Sequence, residues 1–307
     1  MKRSISLLAV GIFLACSFNV RGQAPNCLWV QSASGTGDDL GINITVDGAG
    51  NCYVTGSFAG EAAICGSSLV STGQRDIFIA KHNCVGGLQW VKQAGGAGND
   101  QGFGIAVDSG GNCYVTGEFQ GQAAFGNIHL ASAGGSDVFL AKLDDAGEVL
   151  WVQQAGGIGD DWGQSVTVDA TGNCYITGRF AVAASFGNNF LEGSSAASFF
   201  IAKYNPDGVL QWVRGAGGTG NVWGQSIAVD ASGESFVIGR FEGIARFNNT
   251  SLTSAGEGDV FIARFNPDGA MQWVQQAGGL GDDWGEGIAV DASGTYCVVT
   301  GWFQDIG

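Results

Sequence analysis

Five short acidic loops are the first feature of this sequence that could do chemistry. They read Gly37-Asp38-Asp39, Gly98-Asn99-Asp100, Gly159-Asp160-Asp161, Gly220-Asn221-Val222 and Gly281-Asp282-Asp283. Carboxylates gathered from several loops are what a hard cation such as calcium takes, because it needs many oxygen ligands. Asp38, Asp39, Asp100, Asp160, Asp161, Asp282 and Asp283 are therefore candidate metal ligands, and calcium is the one cofactor that the sequence suggests. Two observations weigh against it. No copy carries the alternating Asp/Asn pattern of a full calcium-binding loop, and Asn221-Val222 breaks the series. A carboxylate in such a loop also caps turns by accepting backbone N–H bonds, and turn capping is the preferred reading.

Beside the loops lies a variable position, occupied by Leu40, Gln101, Trp162, Trp223 and Trp284. Indoles there would form flat apolar platforms with a polar N–H, suited to sugars or peptides. Packing between repeats is the competing reading, but Gln101 at the same position argues for partial exposure. Trp162, Trp223 and Trp284 are thus candidate partner-binding residues.

Enzyme signatures are nearly absent. His82 and His129 sit at unrelated repeat positions, so neither a zinc site nor a histidine-dependent triad is indicated. Gly-rich strings such as Gly95-Gly96-Ala97-Gly98 recur in each copy and read as fold elements, not phosphate cradles. Adjacent pairs such as Asp160-Asp161 are a weak form of acid–base signal.

The elements that position these residues come from a repeat. Trp29, Trp90, Trp151, Trp212 and Trp273 are each 61 residues apart, as are Asp47, Asp108, Asp169, Asp230 and Asp291, and Gly41, Gly102, Gly163, Gly224 and Gly285. About four and a half copies are present, the last with one extra residue near Tyr296. In the copy from Gln101 to Gly156 the pattern predicts four strands: Ile105–Asp108, Cys113–Phe119, Asp137–Leu143 and Val149–Gln153. Asp108-Ser109-Gly110-Gly111-Asn112 and Asp144-Asp145-Ala146-Gly147 are hairpin turns. The region Ala123–Ala133 holds a loop or an extra hairpin.

Near-continuous apolar strands such as Val260-Phe261-Ile262-Ala263 need cover on both faces. Four-stranded sheets stacked face to face around an axis supply that cover, so the expected fold is an all-β propeller of antiparallel blades. A β-solenoid is the competitor, with coils shorter than this period. The chain is expected to open with a fourth-type strand at Leu28–Ser32 and to close on first- and second-type strands, leaving an incomplete ring. A fragment of a longer protein is the plainest explanation. The tryptophans of the 61-residue series read as packing on the fourth strand. Lys81, Lys142, Lys203 and Arg264 read as ion-pairing or snorkelling residues.

The phrases Trp151-Val152-Gln153-Gln154-Ala155-Gly156-Gly157, Val168-Asp169-Ala170-Thr171-Gly172-Asn173 and Asp259-Val260-Phe261-Ile262-Ala263-Arg264 resemble the SBBP repeat, a seven-bladed β-propeller family. The resemblance covers residues 27 to 307. It implies a propeller in bacterial secreted or envelope proteins, and it implies no catalytic residues. The copies are too few for seven blades.

The N-terminus reads as a signal peptide over residues 1–22, with Lys2 and Arg3 before the apolar run Ile5–Ala15. The propeller domain then covers 23–307. A lipoprotein cleavage at Cys16 is the second option, and no segment reads as a transmembrane span. The formal net charge is −15, a poor match for nucleic acid. Cys52, Cys113, Cys174 and Cys297 read as small buried hydrophobes. One bridge is open to Cys27, Cys65 and Cys84, with no pairing favoured. The function expected is a non-enzymatic scaffold or binding module, secreted or at the cell surface, whose loop face contacts a protein or polysaccharide. The alternatives are an envelope hydrolase or lyase with its catalytic module elsewhere, and a purely structural stalk segment.

Overall fold

The structure is a computed structural model that describes residues 29–64 and 66–304. Among the described residues there are 23 strands and no helix. A short strand, β1 (Ala33–Gly35), leads into the first blade, which contains β2 (Leu40–Val46), β3 (Cys52–Phe58), the outer hairpin β4 (Glu61–Ile64) and β5 (Ser67–Val70), then β6 (Asp76–His82) and β7 (Leu88–Gly96). The second blade is β8 (Gln101–Val107), β9 (Cys113–Phe125), β10 (Ile128–Leu143) and β11 (Val149–Gly156), and the third is β12 (Trp162–Val168), β13 (Cys174–Phe186), β14 (Asn189–Tyr204) and β15 (Leu210–Gly218). The fourth has β16 (Val222–Val229), β17 (Ser235–Phe241), the hairpin β18 (Ile244–Phe247) and β19 (Thr250–Thr253), then β20 (Asp259–Phe265) and β21 (Met271–Ala277). β22 (Trp284–Val290) and β23 (Cys297–Trp302) begin a fifth.

Within each full blade all neighbours are antiparallel, in the order first, second, third, fourth. The first strands gather around the axis, with β8 packed beside β2 and β12, and β16 beside β12 and β22. This is the propeller arrangement expected from the repeat. The third-strand run Val138-Phe139-Leu140-Ala141 shows why the strands are apolar on both faces. Val138 and Leu140 join a core shared with the third blade, whereas Phe139 and Ala141 join one shared with the first. A third core lies between the third and fourth blades. Side chains alternate along a strand, so one strand serves two seams.

The strands are longer than the turn pattern predicts. In the second and third blades the second and third strands run on as one long hairpin, and its outer end pairs with the fourth strand of the preceding blade. The contacts are Gly95 and Gly96 with Ala124 and Ala123, and Ala155 and Gly156 with Phe186 and Ser185. In the fourth blade β18 does the same to β15. The opening strand expected at Leu28–Ser32 is corrected. Leu28 lies outside the described residues, residues 29–32 form no strand, and pairing starts only at β1, which meets β4. The inner part of that segment has no third strand beside it to complete a ladder.

The repeated glycine of the first strand is a close-approach position. A Cβ on Gly163 would fall 2.2 Å from Thr116 Oγ1 of the neighbouring blade, and one on Gly224 would fall 2.1 Å from Thr177 Oγ1. The repeated tryptophans brace the opposite rim. Trp90, Trp151 and Trp212 donate their indole N–H to the carbonyls of Asp145, Pro206 and Pro267 in the next blade, at 2.9, 3.0 and 2.9 Å. Lys81 pairs with Asp145, and Arg264 with Glu234. Lys142 and Lys203 instead lie over the rings of Tyr114 and Tyr175. Cys52, Cys113 and Cys174 are fully buried, and Cys297 is half-buried. Cys27 and Cys65 lie outside the described residues.

Candidate functional site

The acidic loops join each fourth strand to the next first strand, on the rim that also carries the outer hairpins. Their two positions divide the work. The second acid is drawn inward and accepts backbone N–H groups from two segments. Asp100 takes Gly96 N at 2.7 Å and Gln120 N at 3.0 Å. Asp161 takes Gly157 N at 2.7 Å and Ala181 N at 2.8 Å. Asp283 takes Gly279 N and Gln304 N at 2.7 and 2.9 Å. All three are wholly buried. Burial pushes the Asp100 carboxyl up to about 6 and that of Asp161 up to about 7, with the N–H bonds working the other way. Burial also raises the Asp39 carboxyl.

The first position reaches sideways. Asp38 pairs with Arg75 at 3.0 Å, and Asp160 accepts Ser136 N at 3.0 Å. Asp282 takes Arg240 Nε and Trp284 Nε1 at 2.9 and 3.1 Å. Burial alone would raise its carboxyl, but those bonds outweigh it and hold it below the usual range. The structure therefore gives these carboxylates to backbone donors, Arg75, Arg240 and Trp284. Among the described residues no three His, Cys, Asp or Glu side chains converge on one point to hold a metal.

Further in, at the mouth of the axis, a second set of side chains meets. A residue at the start of each first strand faces, in register, a residue near the end of the second strand. The pairs are Leu40 with Ser57, Gln101 with Glu118, Trp162 with Arg179, Trp223 with Arg240, and Trp284 with Trp302. The last three build a continuous stack. Arg179 lies 3.5 Å over the Trp162 ring and 5.5 Å from that of Trp223. Arg240 lies 5.3 Å from the Trp223 ring and 4.8 Å from Trp284. Trp284 in turn stacks on Trp302 at 6.2 Å, and Phe103 packs at 5.9 Å on Trp162. Each such cation–π contact is worth about 0.5–2 kcal/mol, depending on desolvation. The three tryptophans of the sequence reading are thus brought together, but guanidinium groups cover ring faces that a flat sugar would need.

The two arginines differ. Arg240 is neutralised by Asp282 and Glu242, and these bonds raise its pKa against the pull of burial. Burial lowers the pKa of Arg179, with Glu118, Asp160 and Asp161 opposing. Its Nε, together with Trp162 Nε1 and Trp223 Nε1, is buried without a hydrogen-bond partner. Glu118, itself buried, accepts Gln101 Nε2 at 2.9 Å and Asn99 Nδ2 at 3.3 Å. Glu118, Arg179 and Arg240 are not in the sequence-predicted set. The signal for them was present, because position 118 and its equivalents vary from copy to copy as the Trp position does.

The family comparison agrees with this geometry. The profile of the beta-propeller repeat family SBBP matches residues 89–118 and 150–179. Two segments of the chain match SBBP beta-propeller repeats. Each matched SBBP segment starts beside a fourth-strand Trp and ends on the mouth residue, Glu118 or Arg179. A curated relative is an uncharacterized WD repeat-containing protein of Acanthamoeba polyphaga mimivirus, 22% identical over 264 residues. The match takes in 71% of this chain and 19% of the relative, so the chain spans a minor part of that protein's length. Among solved structures, a gluconolactonase from Xanthomonas campestris aligns at 12% identity with a TM-score of 0.24, covering 87% of this chain and 96% of that one.

Proposed function

We propose that this propeller is a non-enzymatic binding module that engages a protein partner at the axial mouth, through Arg179, Trp162 and Trp223, with Glu118 and Gln101 at the adjoining blade. The observation that carries this reading is the cluster of three unpaired donors, Arg179 Nε, Trp162 Nε1 and Trp223 Nε1. A buried donor left unmet costs about 1–3 kcal/mol. Three around one guanidinium suit a partner that brings oxygen acceptors, as peptide carbonyls do. The covered indole faces favour such hydrogen bonding over sugar stacking. Beneath the mouth the scaffold repeats, while the mouth residues change from blade to blade, which is how a repeat framework gains specificity. The basic start and apolar run of residues 1–22 support export to the cell envelope or beyond.

The test is binding of the chain to arrayed peptides and arrayed polysaccharides, wild type against Arg179→Ala. Saturable peptide binding that weakens roughly tenfold or more, the scale of an interfacial hot spot, supports the proposal if the melting temperature holds. Binding indifferent to Arg179→Ala places the partner elsewhere on the surface. Binding confined to polysaccharides replaces the protein partner with a glycan.

A further inference from the structure

Where the third and fourth strands part, one blade leaves open a wedge that the others fill. The pairing of these strands ends with Ile77 on Ala94, Val138 on Ala155, Phe199 on Ala216 and Val260 on Ala277. In three blades the residue just before that end is a glutamine, and its carboxamide plugs the wedge. Gln93 Nε2 donates to Val70 O at 2.8 Å and to Asp76 Oδ2 at 2.6 Å. Gln154 Nε2 donates to Ala131 O at 2.8 Å and to Asp137 Oδ2 at 2.7 Å. Gln276 Nε2 donates to Thr253 O at 2.9 Å and to Asp259 Oδ2 at 2.8 Å. Both amide hydrogens go to the same two acceptor positions in each case.

The third blade lacks the plug. Gly215 holds the glutamine position and Ser198 the aspartate position. A cleft of about 360 Å³ lies there, with Leu191, Glu192, Ser194, Gly215 and Gly217 of the third blade and Arg246 of the fourth on its walls. Gly215 is exposed, so the cleft opens to solvent. The acceptors remain. Glu192 stands at the position of Val70, Ala131 and Thr253, so its carbonyl takes the place of theirs. Ser198 is buried, and its Oγ lies against the Gly217 wall, 2.7 Å from where a Cβ on Gly217 would fall. That oxygen accepts Ser194 N at 3.0 Å, and a hydroxyl oxygen has a second lone pair to offer. Leu191 Cδ1, 3.3 Å from where a Cβ on Gly215 would fall, gives the cleft an apolar side.

We propose that this cleft is a binding site for a primary carboxamide, which enters from solvent and takes the place that Gln93, Gln154 and Gln276 fill in the other blades. One N–H of the ligand goes to the Glu192 carbonyl and the other to Ser198 Oγ, while the ligand's methylene stem lies on Leu191. A carboxylate of the same shape is rejected, because it brings no donor and would set an anion against two acceptors. The carboxamide comes either from a glutamine or asparagine side chain of a polypeptide or from a small free amide, and the recognition chemistry is the same. The site is separate from the axial mouth and does not depend on what binds there.

The experiment titrates the isotope-labelled chain with N-acetyl-glutamine methylamide and follows the backbone amide resonances by NMR. The matched control is N-acetyl-glutamate methylamide. The glutamine probe should shift Gly193, Gly215 and Gly217 saturably, with a dissociation constant of about 1 mM for so small a ligand. The glutamate probe should bind at least about tenfold more weakly. Gly215→Gln fills the cleft with the chain's own amide, so that variant should lose the binding and melt no lower than wild type. Gln154→Gly opens the corresponding wedge of the second blade and should add a second set of shifts around Gly156. If that variant misfolds, wild type and Gly215→Gln still decide. Propionamide separates the sources: binding as tight as that of the glutamine probe supports the site with a free amide as ligand, and much weaker binding supports it with a polypeptide side chain. No saturable shift with either amide, equal binding of the glutamate probe, or undiminished binding by Gly215→Gln overturns the proposal.

Discussion

The third blade and the strand pair β22–β23 are made from the same repeat, yet they live in different surroundings. Phe180 of the third blade is 1% exposed, and its counterpart Phe303 is 44% exposed. Ile227, in the first strand of the fourth blade, is 5% exposed, and Ile44 at the same repeat position in the first blade is 50% exposed. The sequence of a copy does not decide its burial; a neighbouring blade on each face does. A blade is a half-finished object on both sides, and the stabilising unit is the seam between two blades.

The largest test of that contrast is a pair of truncations. Phe180→Ala should cost about 3–5 kcal/mol in denaturant unfolding, as for a phenylalanine removed from a packed core. Phe303→Ala should cost under about 1 kcal/mol. Equal losses would break the comparison. A smaller effect is expected at the first-strand glycine. Gly163→Ala drives a methyl into Thr116 and should cost about 1–3 kcal/mol. Gly41, its counterpart at the open face, has nothing within 4 Å of such a methyl, so Gly41→Ala should stay within about 0.5 kcal/mol of wild type. The smallest effect is chemical. Burial pushes the Cys113 and Cys174 thiols up to about 12, so both should resist alkylation in mildly alkaline buffer until the chain unfolds. The half-buried Cys297 thiol is raised by burial as well, but its access should let it label before those two. Mass spectrometry of the alkylated peptides reads the order, and simultaneous labelling would mean that the seams open together.

Much of the fold was legible because it is periodic. Tryptophan every 61 residues, two glycine-bearing hairpin turns per copy and apolar third strands gave four strands and stacked sheets. What escaped was set by cross-strand register, which a linear pattern carries only indirectly. The extra hairpin near Ala123–Ala133 was foreseen as a possibility, but its pairing with Gly95 and Gly96 of the preceding blade was not. At the mouth, Trp162, Trp223 and Trp284 were singled out by their variation. Their partners Arg179 and Arg240 sit 17 residues further along, and only the antiparallel register brings them face to face. Likewise Asp100, Asp161 and Asp283 were read as turn caps, and they do accept backbone N–H groups. Their place beside Asp76, Asp137 and Asp259, around Gly95, Gly156 and Gly278, needed the seam to be seen.

The hairpins that reach back to the preceding blade also set an order of assembly. During synthesis the fourth strand of one blade leaves the ribosome before the hairpin that will pair with it. Gly95 and Gly96 are already in place when Ala123 and Ala124 arrive, and Gly217 and Gly218 when Ala245 and Arg246 arrive. Each new copy therefore docks on a finished edge only two residues long. A growing chain exposes one short landing strip at a time, which leaves few wrong places for a similar repeat to land.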